Sequence, residues 1–415
     1  MKVKNKSKID YILGFFLGIF LFGPQKMPLY FTRFSMIDTF YDLWKLASMA
    51  LTFFLLIFIL SSNRKRLKPN NLMLPFLIIV YYVYCILVTL INHGSTRLQI
   101  RELINCIYIC ASFYIVLTWR DGGLLSGALF LFAAELFINL ILLIIKPEGF
   151  FYPMTYWYRN GQYYPFLAQK NVILRMLFPG LVFALALDFI KNDKKLPRTW
   201  IYLIALIATS ILANSSTSIV ATIFLALSML FWGNMKHNSK LISIRNINAA
   251  ALIVFFIVIV LQIATPFSVF LTGILQKDLT FTGRTFLWNE AISYITKKPI
   301  FGYGLEDSNI QYQRFFTEYE VFDSCHNFYL DTVYRSGLVG LFIIFLIILQ
   351  VDKKMNNPLI NEKVRLYFIL LSLIIFVSWN FEPYVGENLH NILGYFLFLY
   401  YLWEENSLIY RKCNY

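Results

Sequence analysis

The sequence predicts an all-α polytopic membrane protein, and three features carry this prediction. Of its 415 residues, 58% are hydrophobic and only 14% are charged, against about a quarter in soluble domains. Apolar runs near the length of a bilayer span recur from one end of the chain to the other. Between these runs the cations gather in short segments, as is typical of the topology signals of membrane proteins.

We expect about twelve transmembrane helices from these runs. The first run follows a lysine-rich start and has no small-residue cleavage site after it, so we interpret it as a retained anchor and not as a signal peptide. The expected spans cover, approximately, residues 10–23, 43–61, 73–92, 102–118, 123–145, 172–190, 199–213, 216–233, 249–265, 337–351, 366–380 and 391–404.

Alternating these spans across a bilayer places every short, cation-rich segment on one face. That face is cytoplasmic by the positive-inside rule, and both termini lie on it. The net charge of +14 therefore does not indicate nucleic-acid binding, because its cations are spread among these loops. The five cysteines do not form an even set in one outer compartment, so we expect no disulfide framework.

The opposite face keeps two long segments, residues 146–171 and 266–336. The first is dense in Tyr, Phe and Trp, which suit either a membrane interface or stacking on sugar rings. We divide the chain accordingly into an N-terminal transmembrane bundle (1–265), a large extracytoplasmic loop containing short amphipathic helices (266–336), and C-terminal transmembrane helices with a cytoplasmic tail (337–415).

The first half of the large loop contains the stretch "FTGRTFLWNEAISYITKKPIFGYG". It predicts an amphipathic helix that Thr282 caps and Pro299 ends. Arg284 lies in the first turn, where a cation opposes the helix dipole, and projects from the apolar side together with Trp288. A guanidinium and a helix N-terminus directed the same way favour a site for phosphate oxygens. The alternative is an arginine that snorkels to lipid headgroups.

The stretch "SCHNFYLDTVYRSG" closes the same loop. We expect Ser324 to cap a short helix with His326 in its first turn, facing the core. The helix dipole and partial burial would lower the pKa of His326 and favour the neutral imidazole that a general base needs. Two alternatives are a histidine that only packs and a metal site shared with His390, although the spacing follows no metal motif.

Four further cations lie on the outer face against the positive-inside tendency: Arg159, Lys170, Arg175 and Arg335. We expect them to bind an anionic substrate, although Arg175 is shallow enough to snorkel instead. Glu135 lies near the middle of the fifth expected span, where a carboxylate needs a partner or a water-filled cavity, and the sequence names no partner.

The order of these residues resembles that of the O-antigen ligase and Wzy-type polymerase superfamily of bacterial polysaccharide assembly. The family pattern is Gly-Arg, then Trp, then Pro-x-x-Gly-x-Gly, then His-Asn before an aromatic or aliphatic pair, and then a glycine-rich start to the next span. The matching segments here are Gly283-Arg284, Trp288, Pro299–Gly304, His326-Asn327-Phe328-Tyr329-Leu330 and Gly337–Gly340, with a weaker upstream match at Arg159, Gly161 and Asn171.

One departure concerns a Ser-Arg pair that many members carry after the seventh span. This chain reads "NSSTS" at 214–218, without an arginine. Lys170, Arg175 or Arg159 would then take its place at the substrate diphosphate.

The resemblance implies a metal-independent, inverting membrane glycosyltransferase with a GT-C-like fold and no cofactor. It would use a glycan linked to undecaprenyl diphosphate on the outer face of the bacterial cytoplasmic membrane. Arg284 and His326 would be catalytic: Arg284 would bind the diphosphate, and His326 would deprotonate the acceptor hydroxyl. The expected substrate-binding residues are Arg159, Lys170, Asn171, Arg175, Gly283, Trp288, Glu290, Asn327, Asp331 and Arg335.

Three functions remain open from the sequence. The leading hypothesis is a polymerase of capsule, exopolysaccharide or O-antigen repeat units, with a growing polysaccharide, a chain-length regulator and a flippase as partners. A ligase that transfers finished glycan to another acceptor has the same donor chemistry. A transporter of lipid-linked oligosaccharide would need charged residues along several spans, and only Glu135 lies clearly at mid-depth.

Overall fold

The structure, a computed structural model, describes most of the chain. The described residues are 8–23, 28–62, 72–119, 122–152, 162–191, 195–232, 242–261, 284–315, 324–356, 362–382, 394–397 and 399–400.

Helices make up most of the described residues, and they are joined by short turns and one small hairpin. The helices are α1 (Lys8–Phe22), α2 (Ser35–Ser62), α3 (Met73–Ile91), α4 (Thr96–Trp119), α5 (Gly122–Ile145), α6 (Lys170–Ile190), α7 (Pro197–Leu212), α8 (Ser216–Trp232), α9 (Ile244–Phe255), α10 (Arg284–Lys297), α11 (Ser308–Arg314), α12 (Phe328–Met355) and α13 (Glu362–Trp379). A 3-10 helix (Leu29–Arg33) precedes α2, and a π-helical turn (Phe256–Val260) continues α9. Strands β1 (Phe150–Tyr152) and β2 (Gln162–Tyr164) pair antiparallel.

The structure confirms a helical, multi-pass membrane protein in its general class. In the part of the chain that the structure describes, six helices are long and apolar enough to cross a membrane: α2, α3, α4, α5, α6 and α12. Helices α7, α8 and α9 with its π-helical turn are shorter apolar helices. Each of the first eleven expected spans coincides with a helix, but the last one lies largely outside the described residues. The count of twelve and the GT-C-like fold stay predictions.

Helix α6 lies at the centre of the bundle. From Ile173 to Ile190 every residue is buried except Arg175, and the helix packs against α5, α7, α8 and α13. A helix that is apolar around its whole circumference is expected at such a place. Arg175, one turn inside this helix, is the partly exposed exception in this buried segment.

The expected division at residues 336 and 337 falls within one continuous element. Helix α12 runs from the loop into the bundle, although its backbone leaves helical geometry at Gly337, with φ 63° and ψ −172°. It packs against α3 and α9 in the bundle and against α10 in the loop. The loop is thus joined to the bundle through α12, and the three-part division of the chain stays a prediction.

Candidate active site

Helix α10 brings Arg284 to the site. The helix runs from Arg284 to Lys297 and buries Leu287, Trp288 and Ala291, so its apolar face and its end before Pro299 agree with the sequence prediction. The expected cap, Thr282, lies outside the described residues. Helix α10 packs on α12 and on the π-helical turn after α9, which makes its first residue, Arg284, face the start of α12.

His326 lies immediately before α12 and not in the first turn of a helix. The prediction that Ser324 caps this helix is wrong, because Asn327 does so: its Oδ1 accepts a hydrogen bond of 2.9 Å from the Leu330 amide. An asparagine side chain is among the strongest helix caps. His326 itself has a left-handed backbone, with φ 45°, a conformation that non-glycine residues seldom adopt outside turns and functional sites.

Arg284 and His326 meet at one carboxylate, that of Glu382. The Arg284 guanidinium lies 3.3 Å from Oε1 of Glu382, and Nδ1 of His326 lies 4.0 Å from Oε2. The carboxylate side chain is 5% exposed, whereas Arg284 and His326 are 19% and 25% exposed. The two residues that the sequence indicated as catalytic therefore open onto the same partly buried space.

The electrostatics of this space keep the imidazole uncharged. Burial first, and then the positive charges of Arg284 and Arg175, lower the pKa of His326 from 6.5 to about 3. The direction agrees with the sequence prediction. The causes of the lowered pKa agree with the prediction only in part. Burial was expected, but the second contribution comes from the two arginines and not from the helix dipole.

Arg175 approaches the same site from α6. One turn before it, Oδ1 of Asn171 accepts a hydrogen bond of 3.2 Å from the Ser215 hydroxyl, just ahead of α8. Residues four apart lie on one face of a helix, so Arg175 follows Asn171 along the face turned to the start of α8. That start is the segment where the family pattern places its Ser-Arg pair.

A glycine-containing turn fixes α10 relative to α12. After Pro299, the amides of Tyr303 and Gly304 donate to the carbonyls of Tyr334 and Arg335, at 2.9 and 2.8 Å, and the Leu338 amide donates to the Pro299 carbonyl at 2.9 Å. The backbone of the turn thus hydrogen-bonds directly to the backbone of α12, on both sides of the non-helical residue Gly337. The turn thereby sets the distance between the helix that begins at Arg284 and the one that His326 precedes.

The matching segments of the large loop also lie within a family match. Residues 201–346 match the family model described as O-Antigen ligase. The match confirms the resemblance to the O-antigen ligase and Wzy-type polymerase superfamily, whose members are membrane enzymes of the glycosyltransferase kind. A search of the curated proteins finds no match to the chain.

The matched region, residues 201–346, contains Arg284 and His326 but not the whole candidate site. It extends from α7 to the middle of α12. Arg175 on α6 precedes it and Glu382, after α13, follows it. The site is thus completed by residues on both sides of the matched region in sequence, which reach it only because the bundle folds around α6 and α12.

Several residues of the matched region have contacts different from those expected. The Trp288 side chain is completely buried and packs in a cluster with Leu287, Tyr334 and Cys325, so it supports α10 instead of facing a substrate. Asp331 is buried as well, because it accepts from the Cys325 amide at 3.1 Å and pairs with an arginine.

Arg335 is that arginine, and it follows Asp331 by one turn of α12. Its Nε is 3.0 Å from Oδ2 of Asp331, and the side chain lines a small cavity with Tyr81, Tyr82 and Glu102 of α3 and α4. The structure therefore gives Arg335 a place at the contact between loop and bundle, apart from the carboxylate that joins Arg284 and His326.

The remaining predicted residues are distributed around the site. Glu290 is partly exposed on α10, and Lys170 is exposed at the first residue of α6. Asn327 caps α12 and donates through Nδ2 to the Asn380 carbonyl at 2.9 Å. Arg159 and Gly283 lie outside the described residues, as does His390 of the alternative metal site.

Sequence reasoning missed Glu382. It stands in "SWNFEPYVGEN", just after the last residues of an expected span on the outer face. Unusual cations on that face require counter-charges, and a carboxylate at the end of a span is one. That signal was present, but it does not indicate which of the outer carboxylates meets which cation.

Glu135 also finds neighbours that the sequence did not name. Its carboxylate in α5 is close enough to the phenols of Tyr41 and Tyr202 to interact with them electrostatically. These two side chains come from α2 and α7. Glu135 therefore lies among phenol groups within the bundle, and the contacts described above do not link it to Arg284 or His326.

The aromatic segment forms the β-hairpin and a layer on the 3-10 helix. Phe150 of β1 contacts the ring of Tyr30 at 4.7 Å, and the Arg33 guanidinium lies 4.1 Å from the Tyr152 ring centre. Phe151 and Tyr163 remain about half exposed, at 45% and 54%. Contact with a membrane interface and stacking on sugars both stay open for this hairpin.

Proposed function

We propose that this protein polymerises oligosaccharide repeat units carried on undecaprenyl diphosphate, outside the cytoplasmic membrane, to make capsule, exopolysaccharide or O-antigen. The observation that carries the proposal is the meeting of Arg284 and His326 at the Glu382 carboxylate. A fixed guanidinium beside a neutral imidazole is the pair of groups that transfer of a glycan from a diphosphate requires.

Arg284 acts on the leaving group. When the donor binds, oxygens of its diphosphate take the place of the Glu382 carboxylate as the partner of the Arg284 guanidinium. Phosphate oxygens match the two parallel N–H groups of the planar guanidinium. As the bond between the anomeric carbon and the diphosphate oxygen breaks, negative charge grows on that oxygen. A preorganised cation in a partly buried site stabilises this charge without reorganising.

His326 acts on the acceptor. The imidazole takes the proton of the acceptor hydroxyl while the hydroxyl oxygen attacks the anomeric carbon from the side opposite the diphosphate. The carbon is inverted, the diphosphate lipid leaves with the bonding electron pair, and the proton remains on the imidazole until water removes it. No nucleotide takes part in these steps, because the bond that supplies the energy arrives on the lipid.

Arg175 is the cation that replaces the arginine missing from "NSSTS" at 214–218. Two contacts support this: Asn171 joins the start of α6 to Ser215, and the Arg175 charge acts on His326. Lys170 and Arg159 would then guide the anionic donor, Glu290 and Asn171 would contact or orient sugars, and Asn327 would orient the histidine. A chain-length regulator and a flippase complete the proposed set of partners.

The decisive test is a reaction with purified protein in liposomes, a lipid-diphosphate repeat unit, and no added metal or nucleotide. The wild type should yield products of many units. His326→Asn should lower the rate by about 10²–10⁴-fold, as loss of a general base does, while keeping the left-handed backbone that asparagine tolerates.

The matched control is His93→Asn. His93 has a left-handed backbone too, with φ 55°, and is exposed at the end of α3. The control should keep the wild-type rate. Normal chain lengths from the His326→Asn protein, or equal losses in the two variants, would contradict the assignment of His326 as the base.

A ligase that transfers finished glycan to another acceptor is the second candidate, and the description of the matched family favours it. The donor chemistry is identical, so the acceptor decides. A strain lacking the protein separates the two functions. Loss of polymer with single units still attached to their final acceptor indicates a polymerase, whereas long chains left on the lipid carrier indicate a ligase.

A further inference from the structure

The turn after α13 contacts three parts of the site with three consecutive residues. The Asn380 carbonyl accepts from Asn327 at 2.9 Å, the Phe381 carbonyl accepts from the Arg284 guanidinium, and the Glu382 carboxylate faces both Arg284 and His326. The turn is closed on itself, because the Glu382 amide donates to the Ser378 carbonyl at 2.9 Å.

Aromatic packing holds this turn against α12. The Trp379 ring, at the end of α13, stacks on Phe328 in the first turn of α12, with ring centres 3.8 Å apart. Both rings are almost completely buried. The place of Glu382 relative to His326 is therefore fixed by packing and backbone hydrogen bonds and not by the carboxylate alone, as a positioning group requires.

His326 needs a negative neighbour of this kind. Two cations, Arg284 and Arg175, act on it, and each favours loss of its proton, so the imidazole alone is a weak base. Asp331, the nearest acidic residue in sequence within the described part of the chain, is engaged with the Cys325 amide and with Arg335. Glu382 is the carboxylate whose oxygen faces the imidazole.

We propose that Glu382 is the positioning residue of His326: its carboxylate accepts the Nδ1–H and thereby leaves the lone pair of Nε2 for the proton of the acceptor hydroxyl. This role rests on the proposed glycan transfer. The separation of 4.0 Å between Nδ1 and Oε2 shortens to a hydrogen bond when a donor diphosphate takes over Arg284 and releases the Oε1 side of the carboxylate. Catalytic hydrogen bonds often tighten in this way on substrate binding.

The first experiment reads the histidine directly, without glycan transfer, in the presence of undecaprenyl diphosphate as the diphosphate that takes over Arg284. Protein with ¹⁵N-labelled histidine is studied by solid-state NMR in liposomes, with the His326 signals assigned by difference from His326→Asn. The wild type should show the tautomer protonated at Nδ1. Glu382→Gln should increase the share protonated at Nε2, because the amide can donate to Nδ1 where the carboxylate cannot. A wild-type imidazole protonated at Nε2, or one unaffected by Glu382→Gln, overturns the proposal.

The second experiment is a double-mutant cycle in the liposome reaction with the undecaprenyl-diphosphate repeat unit. Glu382→Gln should lower kcat by about 10²-fold and change the donor KM by less than about threefold, and Glu382→Asp should restore part of kcat because it keeps the charge. In the His326→Asn background, Glu382→Gln should have no further effect, because it acts through the histidine.

The matched control is Glu306→Gln, which neutralises another buried carboxylate of the loop, paired with Arg314 at 2.8 Å. Any loss from it should be equal in both His326 backgrounds. A Glu382→Gln loss that persists in the His326→Asn background and vanishes with Arg284→Lys would assign Glu382 to the anion site alone and overturn the proposal. A wild type that makes no polymer while the NMR shift occurs contradicts the proposed function and leaves the positioning role standing.

Discussion

His326 combines three features that individually have ordinary explanations. It has a left-handed backbone, it is three-quarters buried, and cations on two different helices lower its pKa. A histidine that only packs would need none of these cations nearby. Together the features describe an imidazole that is held uncharged beside two arginines.

The first prediction concerns the pH dependence of the wild type. The pKa of His326 is lowered to about 3, and a general base works in its neutral form, so kcat/KM should stay constant from about pH 7 down to about pH 5. An ordinary histidine would cause a tenfold loss for each pH unit below about 6.5. Steady-state rates in liposomes across this range measure the difference.

The profile of kcat should differ from that of kcat/KM. The first reports the enzyme with donor bound and the second reports the free enzyme. A bound diphosphate adds negative charge next to Arg284 and raises the pKa of His326, so the acid limb of kcat should lie at higher pH. Coincident limbs near pH 6.5 in both profiles would contradict the described environment of His326.

The contact between the glycine turn and α12 leads to a prediction about one backbone position. Gly337 has φ 63° with an extended ψ, a region that is essentially restricted to glycine, and an added Cβ would lie 2.0 Å from the Ile300 carbonyl oxygen. Gly337→Ala should therefore lower stability by about 1–3 kcal/mol and disturb the spacing of α10 and α12. Thermal unfolding in detergent, followed together with polymerisation, measures both effects.

Gly122→Ala is the matched control for that change. Gly122 begins α5 and an added Cβ meets nothing within 4 Å, so this variant should keep the wild-type unfolding temperature and rate. If Gly337→Ala behaves like Gly122→Ala, the turn does not set the distance between the two helices. The sequence indicated the glycines as part of a motif. The structure shows why glycine is required there, because two backbone segments more than thirty positions apart come into direct contact.

The arrangement of the whole chain in the membrane gives a further prediction. The site loop should lie outside and the turn after α6 inside, as the distribution of cations indicates. Ser293, on α10, and Lys191, after α6, are both exposed, while the four cysteines among the described residues are buried. In a Cys413→Ser background, an impermeant maleimide should label Ser293→Cys in spheroplasts and Lys191→Cys only after lysis. Labelling of Lys191→Cys in intact spheroplasts would contradict this orientation.

The sequence by itself determined the class of the protein and the places of most of its helices, and it indicated the two residues that we propose as the catalytic pair. Hydropathy locates helices because unpaired backbone groups cannot be left in a bilayer, and Arg284 and His326 stood out because charge and imidazole are rare in such a chain. The start of α12 was misplaced by a few residues, since Ser324 and Asn327 are both good caps and only packing selects between them.

Only the tertiary structure decided which polar groups meet. Glu382 lies 56 residues after His326 along the chain, and no local pattern joins them. Stacking of Trp379 on Phe328 and the backbone bonds around Gly337 bring the ends of α10, α12 and α13 together. Trp288 and Asp331 were expected at a substrate from the resemblance to the family, but burial assigns them to the core. Residue type sets what a side chain can do, and the packing of distant helices sets what it contacts.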